Sequence, residues 1–278
     1  LGPPGQASGG APTEGASSSA QEELPADWAL IEAQQADELA ALLSDASVDA
    51  IDGTGGVFTT YIGNYYTTQY LNYPYRAVGT FVSTKGSRPA SVISRNNIIG
   101  TAAHCVYDTT RNAWFGNFAF IPAYRNGARP YGTFPASQCR ILGRYVAAAY
   151  TPRRYDVAVC SLGLNSARRP VTYYTGWLGR SWNYGYTQNQ TLIGYPSNLT
   201  NGSKYTYISH STTYYGGTDV LKYGTDQKWG SSGGPGIRAF RTGNWVNSVV
   251  SGDGGWNTHA SPRFSTSNIK LLCDAQGC

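Results

Sequence analysis

Positive charge is missing from the first 75 residues: no lysine or arginine precedes Arg76. Long apolar runs are missing too. Nothing approaches the ~18 residues a membrane-spanning helix needs, so no membrane anchor or membrane partner is expected. The chain opens at Leu1 without a basic start or an apolar signal core, and the expectation is that a signal peptide has already been removed. Five cysteines form no Cys-x-x-Cys pair, which argues against a zinc ribbon or a thioredoxin-type site, and no metal site or cofactor is expected. Basic residues are scattered, with no compact Lys/Arg block, so nucleic acid is not an expected partner.

Charge is scarce throughout, at 13% of residues, whereas the chain holds 34 Gly and 22 Tyr. Few charges with many Tyr, Thr, Val and Gly favour strands and turns over long surface helices. The charges that exist are segregated. Ten of the 16 acidic residues lie before Arg76, and the remainder carries 21 basic against six acidic residues, a formal +15. An acidic leader joined to a basic body implies two parts with different roles.

Residues 1–25, rich in Gly, Ala, Ser and Pro, read as a linker or disordered segment. Asp27 can cap a helix in which Trp28, Leu30, Ile31, Leu39, Leu42 and Leu43 recur at helical spacing to about Asp45. Glycines 53, 55 and 56 end that segment, and the leader is taken as 1–55. Beyond it come short β-type runs: Ala77–Val82, Ala90–Ile93, Ile98–Ala103, Phe118–Ile121, Ile141–Ala147 and Asp156–Leu162. A second group comprises Thr191–Ile193, Tyr205–His210, Asp219–Tyr223 and Trp245–Ser251, and Ser267–Leu272 reads as a short terminal helix. Many short strands so spaced predict an all-β sandwich or barrel. The two groups divide the body into 56–165 and 166–278.

Three stretches carry chemistry. In Gly230-Ser231-Ser232-Gly233-Gly234-Pro235, glycine lets the backbone turn so that the Gly230 and Ser232 N–H groups converge as an oxyanion hole beside a nucleophilic Ser232. In Thr101-Ala102-Ala103-His104-Cys105, a histidine after a strand can lean into a cleft as general base. His210 and His259 lie in polar, turn-rich sequence without that context. In Tyr155-Asp156-Val157-Ala158-Val159-Cys160-Ser161-Leu162, an acid opening an apolar strand can orient the histidine; Asp108 is a rival only four residues from His104.

TAAHC, YDVAVCSL and GSSGGP, in that order, resemble the three catalytic motifs of trypsin-like serine peptidases. Tyr73-Pro74-Tyr75-Arg76-Ala77, His104-Cys105-Val106-Tyr107-Asp108 and Ile193-Gly194-Tyr195-Pro196 are similar to the bacterial glutamyl-endopeptidase branch. The resemblance spans roughly residues 70–270. It implies two packed six-stranded antiparallel barrels with a short C-terminal helix, the triad His104, Asp156 and Ser232 in the cleft, and a leader that is a propeptide. It implies a secreted, disulfide-bonded endopeptidase zymogen acting on polypeptides as a monomer, with the leader as a candidate inhibitor. Three features depart from the pattern. Ser231 stands where trypsin has the Asp that pairs with a new N-terminus, Cys105 has no partner in the preceding strand, and Val249-Val250-Ser251-Gly252-Asp253 lacks the pocket histidine of glutamyl endopeptidases. Counting back from Ser232 puts Asp226 at the position of trypsin's pocket floor, with Ser251, Gly252 and Asp253 on the wall. An acidic pocket favours Arg or Lys, yet bacterial relatives carry Asp at that spacing without such cleavage. The competing reading is a catalytically silent homologue that binds protein or glycan through its Tyr- and Trp-rich surface.

Overall fold

The computed structural model describes residues 4–10, 61–64, 69–147, 152–199 and 206–278. The helix read at Trp28–Asp45 and the boundary at 50–56 lie outside the described residues. Two strands precede the body: β1 (Gly5–Ala7) and β2 (Tyr61–Asn64). The first half holds β3 (Val78–Ser83), β4 (Gly86–Ser94), β5 (Ile98–Thr101), the small hairpin β6 (Tyr107–Asp108) and β7 (Ala113–Trp114), β8 (Ala119–Pro122), β9 (Phe134–Ile141) and β10 (Ala158–Leu162). The second holds β11 (Gly179–Trp182), β12 (Asn189–Gly194), β13 (Tyr207–Thr212), β14 (Tyr214–Gly217), β15 (Val220–Gly224), β16 (Pro235–Arg238), β17 (Trp245–Val249), β18 (Gly252–Gly255) and β19 (Thr258–Pro262).

In the first half the order β10-β5-β4-β3-β8-β9 closes into a six-stranded barrel, which leaves no open sheet edge. Its inward positions are largely β-branched and aromatic. Ile98–Thr101 is buried along its whole length, and Phe81, Phe120, Phe134, Ile99 and Val159 fill the interior. Cys139 and Cys160 face one another directly across β9 and β10 and are disulfide-bonded; Cys273–Cys278 is the other bridge, and Cys105 is a buried free thiol.

The second half forms the other β unit of the fold. It consists of a seven-stranded sheet, β1-β11-β17-β16-β12-β13-β2, and a four-stranded sheet, β14-β15-β19-β18. The chain passes between them at Thr213, where β13 ends and β14 begins one residue later. Ile193, Ile237, Val246 and Val249 bury into the same core cluster as the barrel residues, through Val171, Leu178 and Phe264. The chain ends in a helix, Leu271–Gln276, reached through a turn at Thr266–Lys270 that Ser265 and Asn268 cap reciprocally.

Two segments depart from the sequence reading. Part of the Gly-rich start, read as linker or disorder, is a strand: Gly5–Ala7 pairs antiparallel with Arg180–Trp182. The small residues that suggest disorder are what this docking needs, because a Cβ on Gly5 or Gly10 would run into the indoles of Trp182 or Trp177. The run Ile141–Ala147 stops being a strand at Ile141, and Gly143–Val146 forms a helical turn. That turn buries Tyr145 with Ala103 and Tyr155, one cluster beneath the residues that flank His104 and Asp156.

Candidate active site

His104 and Asp156 are 52 residues apart in sequence but meet through strand register. Thr101, the last residue of β5, pairs with Ala158, the first of β10. His104 leaves the barrel three residues after β5 and Asp156 enters two before β10, so both stand at one rim. The imidazole Nδ1–H donates to Asp156 Oδ2 at 2.7 Å, and the His104 backbone N–H donates to Oδ1 at 2.8 Å. Ser251 Oγ–H donates to Oδ2 at 2.6 Å. A carboxylate buried to 4% exposure is thereby satisfied from three directions.

This arrangement sets the charges. Burial raises the Asp156 carboxyl, but the His104 imidazole and the three hydrogen bonds outweigh it and hold the group below the usual carboxylate range. Burial likewise works against the charged imidazole, and the Asp156 carboxylate overrides it, holding His104 well above the ordinary histidine value. The proton on Nδ1 is pinned by Asp156, which leaves Nε2 with a lone pair when the ring is neutral.

Ser232 lies in the loop between β15 and β16. That loop is tied to the link between β17 and β18 that carries Ser251: the Gly233 N–H donates to the Val250 carbonyl at 2.8 Å, and the Val250 N–H to the Gly234 carbonyl at 2.9 Å. Its tight course needs glycine. Gly230 has φ of 97°, and a Cβ there would sit 2.5 Å from the Tyr195 carbonyl oxygen. Gly233, at φ of 88°, presses against Thr101 and Pro89 of the barrel, which carries the serine loop up to the rim where His104 stands. The Cys105 sulfur lies 3.7 Å from His104 Nε2 and 3.7 Å from the Ser232 carbonyl oxygen, so the Nε2 edge of the imidazole and the serine loop both border the same buried thiol. Among the described residues the Gly230 and Ser232 N–H groups have no hydrogen-bond acceptor, as an anion-receiving pair requires.

A cavity of about 190 Å³ opens beside Ser232, lined among others by Thr225, Gln227, Gly252, Asp253 and His259. Asp226 is not among its lining residues. In this stretch Thr225 and Gln227 face the cavity, while burial pushes the Asp226 carboxyl up and its Oδ1 has no partner among the described residues. Ser251, expected on the pocket wall, spends its hydroxyl on Asp156. Gly252 and Asp253 do line the cavity; Asp253 is exposed, and its Oδ1 accepts the Gly255 N–H at 2.8 Å. Ser231 is buried and donates to Gln227 Oε1 at 3.2 Å.

His259 is the residue that motif reading passed over. It sits on β19 at 6% exposure, and its Nδ1–H donates to the Gly252 carbonyl at 3.1 Å. Burial lowers its pKa and favours the neutral ring, whose buried Nε2 lies beside the Gln227 backbone without a well-aligned hydrogen bond among the described residues. Its only local cue is a polar Thr-His-Ala-Ser context, because pairing with β15 and β18 creates the pocket wall.

No family model matches the chain. A curated relative, the glutamyl endopeptidase of Bacillus licheniformis, is 28% identical over 172 residues, which is 59% of this chain and 49% of the relative; the chain thus spans about half the length of that relative. A solved Glu endopeptidase structure superposes with a TM-score of 0.68 at 16% identity, covering 78% of this chain and 97% of its own. The protease Anisep of Arthrobacter nicotinovorans gives 0.64 at 23% identity, covering 72% and 94%, and a thermostable serine protease, AL20, from an extremophilic microorganism gives 0.64 at 22%, covering 73% and 97%. The chain therefore has the chymotrypsin-like fold of these serine peptidases and resembles their glutamyl-endopeptidase branch in sequence.

Proposed function

We propose that the protein is a serine endopeptidase that hydrolyses polypeptides through an acyl-enzyme on Ser232. The observation that carries this is the hydrogen-bonded His104–Asp156–Ser251 network, with the Nε2 edge of the imidazole and the Ser232 loop bordering the same Cys105 sulfur. His104 Nε2 takes the Ser232 proton as Oγ attacks the scissile carbonyl, and the imidazolium formed is stabilised by Asp156. The Gly230 and Ser232 N–H groups receive the oxyanion. His104 then protonates the leaving amine, and water resolves the acyl-enzyme by the same route. Ser232→Ala tests the scheme: kcat on a peptide substrate is expected to fall on the order of 10⁶-fold, with the fold intact by circular dichroism. Retained turnover would exclude Ser232.

For the residue before the scissile bond, the cavity supports a polar side chain of glutamyl or glutaminyl length rather than a basic one. Asp226 does not line it, the one acid that does, Asp253, is exposed, and the buried His259 imidazole lies in its wall. A carboxylate entering there would draw a proton onto His259 Nε2, and a carboxamide would donate to it. The curated relative's name, glutamyl endopeptidase, points the same way.

Extracellular action is part of the proposal. Two disulfides support it, and among the described residues no helix is long and apolar enough to cross a membrane. The leader is proposed as a propeptide that restrains the basic body, and the pairing of β1 with β11 supports its attachment there. Equal hydrolysis rates before and after removal of the leader would exclude that restraint.

A further inference from the structure

A second, larger cavity of about 550 Å³ adjoins the one beside Ser232, and Asp253 lines both. Its walls carry three cations, Arg153, Arg154 and Lys222, against the single carboxylate of Asp253. Asp253 offers little to neutralise them, since it is exposed and its Oδ1 already accepts a backbone N–H. Arg153 lies three residues before Asp156, and its guanidinium packs on β18, with Nη1 3.6 Å from where a Cβ on Gly252 would stand. The Arg154 guanidinium stands over the Tyr155 ring at 4.7 Å. Arg153 Nη1 and Arg154 Nε are buried and have no hydrogen-bond partner among the described residues. A buried guanidinium donor without an acceptor is costly, and a carboxylate is the group that best repays it, with two parallel N–H···O bonds.

The position of the cavity says which carboxylate. A polypeptide whose side chain fills the small cavity beside Ser232 must pass Asp253 and β18, and it then runs over the basic walls. We propose that this cavity is a substrate subsite that takes an acidic side chain lying within a few residues of the scissile bond. This rests on the endopeptidase reading of Ser232 and extends it from the bond cleaved to the sequence around it. Attraction through partly buried cations would also weaken as salt is raised.

The test uses peptides that share one residue before the scissile bond and carry Glu, Gln or Lys at one flanking position, out to the fourth on either side. At one or more positions Glu is expected to exceed Gln in kcat/KM by about tenfold, the order of one charge-assisted hydrogen bond, and Lys to be worst. Arg153→Gln, Arg154→Gln and Lys222→Gln combined should level Glu with Gln in kcat/KM. The same peptides titrated into the Ser232→Ala protein should show the same order of Kd, a readout that needs no turnover. Equal Kd for Glu and Gln peptides, or a preference that survives the triple substitution, would overturn the subsite. Glu-selective binding by a protein that hydrolyses none of the peptides would uphold the subsite and sink the endopeptidase reading.

Discussion

Replacing Asp156 with Asn probes the network at its centre while hardly changing volume. The carboxylate accepts three hydrogen bonds, from the His104 backbone N–H at 2.8 Å, from Nδ1–H at 2.7 Å and from Ser251 Oγ–H at 2.6 Å. A carboxamide has one oxygen. If that oxygen keeps the backbone N–H, the amide nitrogen faces Nδ1 and can only donate to it. The imidazole proton then moves to Nε2, the atom that must receive the serine proton. Loss of the correct tautomer in triads of this kind lowers kcat by about 10⁴, or about 5.4 kcal/mol of barrier. The pH profile should change as well. In the intact protein Asp156 holds His104 well above 6.5, and a general base works only when neutral, so kcat/KM should fall as pH drops through that raised value. In Asp156→Asn the attraction is gone and the burial penalty remains, so the acid limb should move to lower pH. The assay is kcat/KM from pH 4 to 10 on active-site-titrated protein. A variant that keeps a tenth of the activity, or an acid limb that does not move, would refute the assigned role of Asp156.

Other consequences follow from the same geometry. Gly230→Ala places a Cβ 2.5 Å from the Tyr195 carbonyl at φ of 97°, a strain of about 1–3 kcal/mol. Relief by backbone rotation would misdirect one oxyanion donor, so kcat should fall about 10²- to 10³-fold with a smaller change in KM, as measured by steady-state kinetics; unchanged kcat would remove Gly230 from the oxyanion hole. Asp226→Asn should leave the preference before the scissile bond unaltered, whereas His259→Val should reduce discrimination between Glu or Gln and Leu at that position. Peptide-library profiling reads both, and a lost Arg/Lys preference in Asp226→Asn would restore the acidic-pocket reading.

The triad candidates were legible because each is announced locally. A histidine after an apolar strand, an aspartate before another and a serine among glycines are features of adjacent residues, and the strands Ile98–Thr101 and Ala158–Leu162 are plainly apolar. What escaped depends on partners distant in sequence. β18 reads Gly-Asp-Gly-Gly, which looks like a turn, yet it is a strand because β19 pairs with it and β15 pairs with β19 in turn. His259 and the wall around it could not be seen without that pairing. Counting back to Asp226 reaches a stretch whose neighbouring residues, Thr225 and Gln227, line the cavity, as alternation along an extended segment allows. Tyr145 lies in an apolar run that suits a strand, and only the pocket between Ala103 and Tyr155 makes a helical turn the better way to bury it.

Labelling with a fluorophosphonate probe, followed by peptide mapping, tests the central claim most directly, because only a serine activated by a neighbouring base reacts. One covalent adduct is expected, on Ser232 and not on the buried Ser231, and it is lost in His104→Ala. A folded protein that takes up no label, or takes it up at another serine, would contradict it.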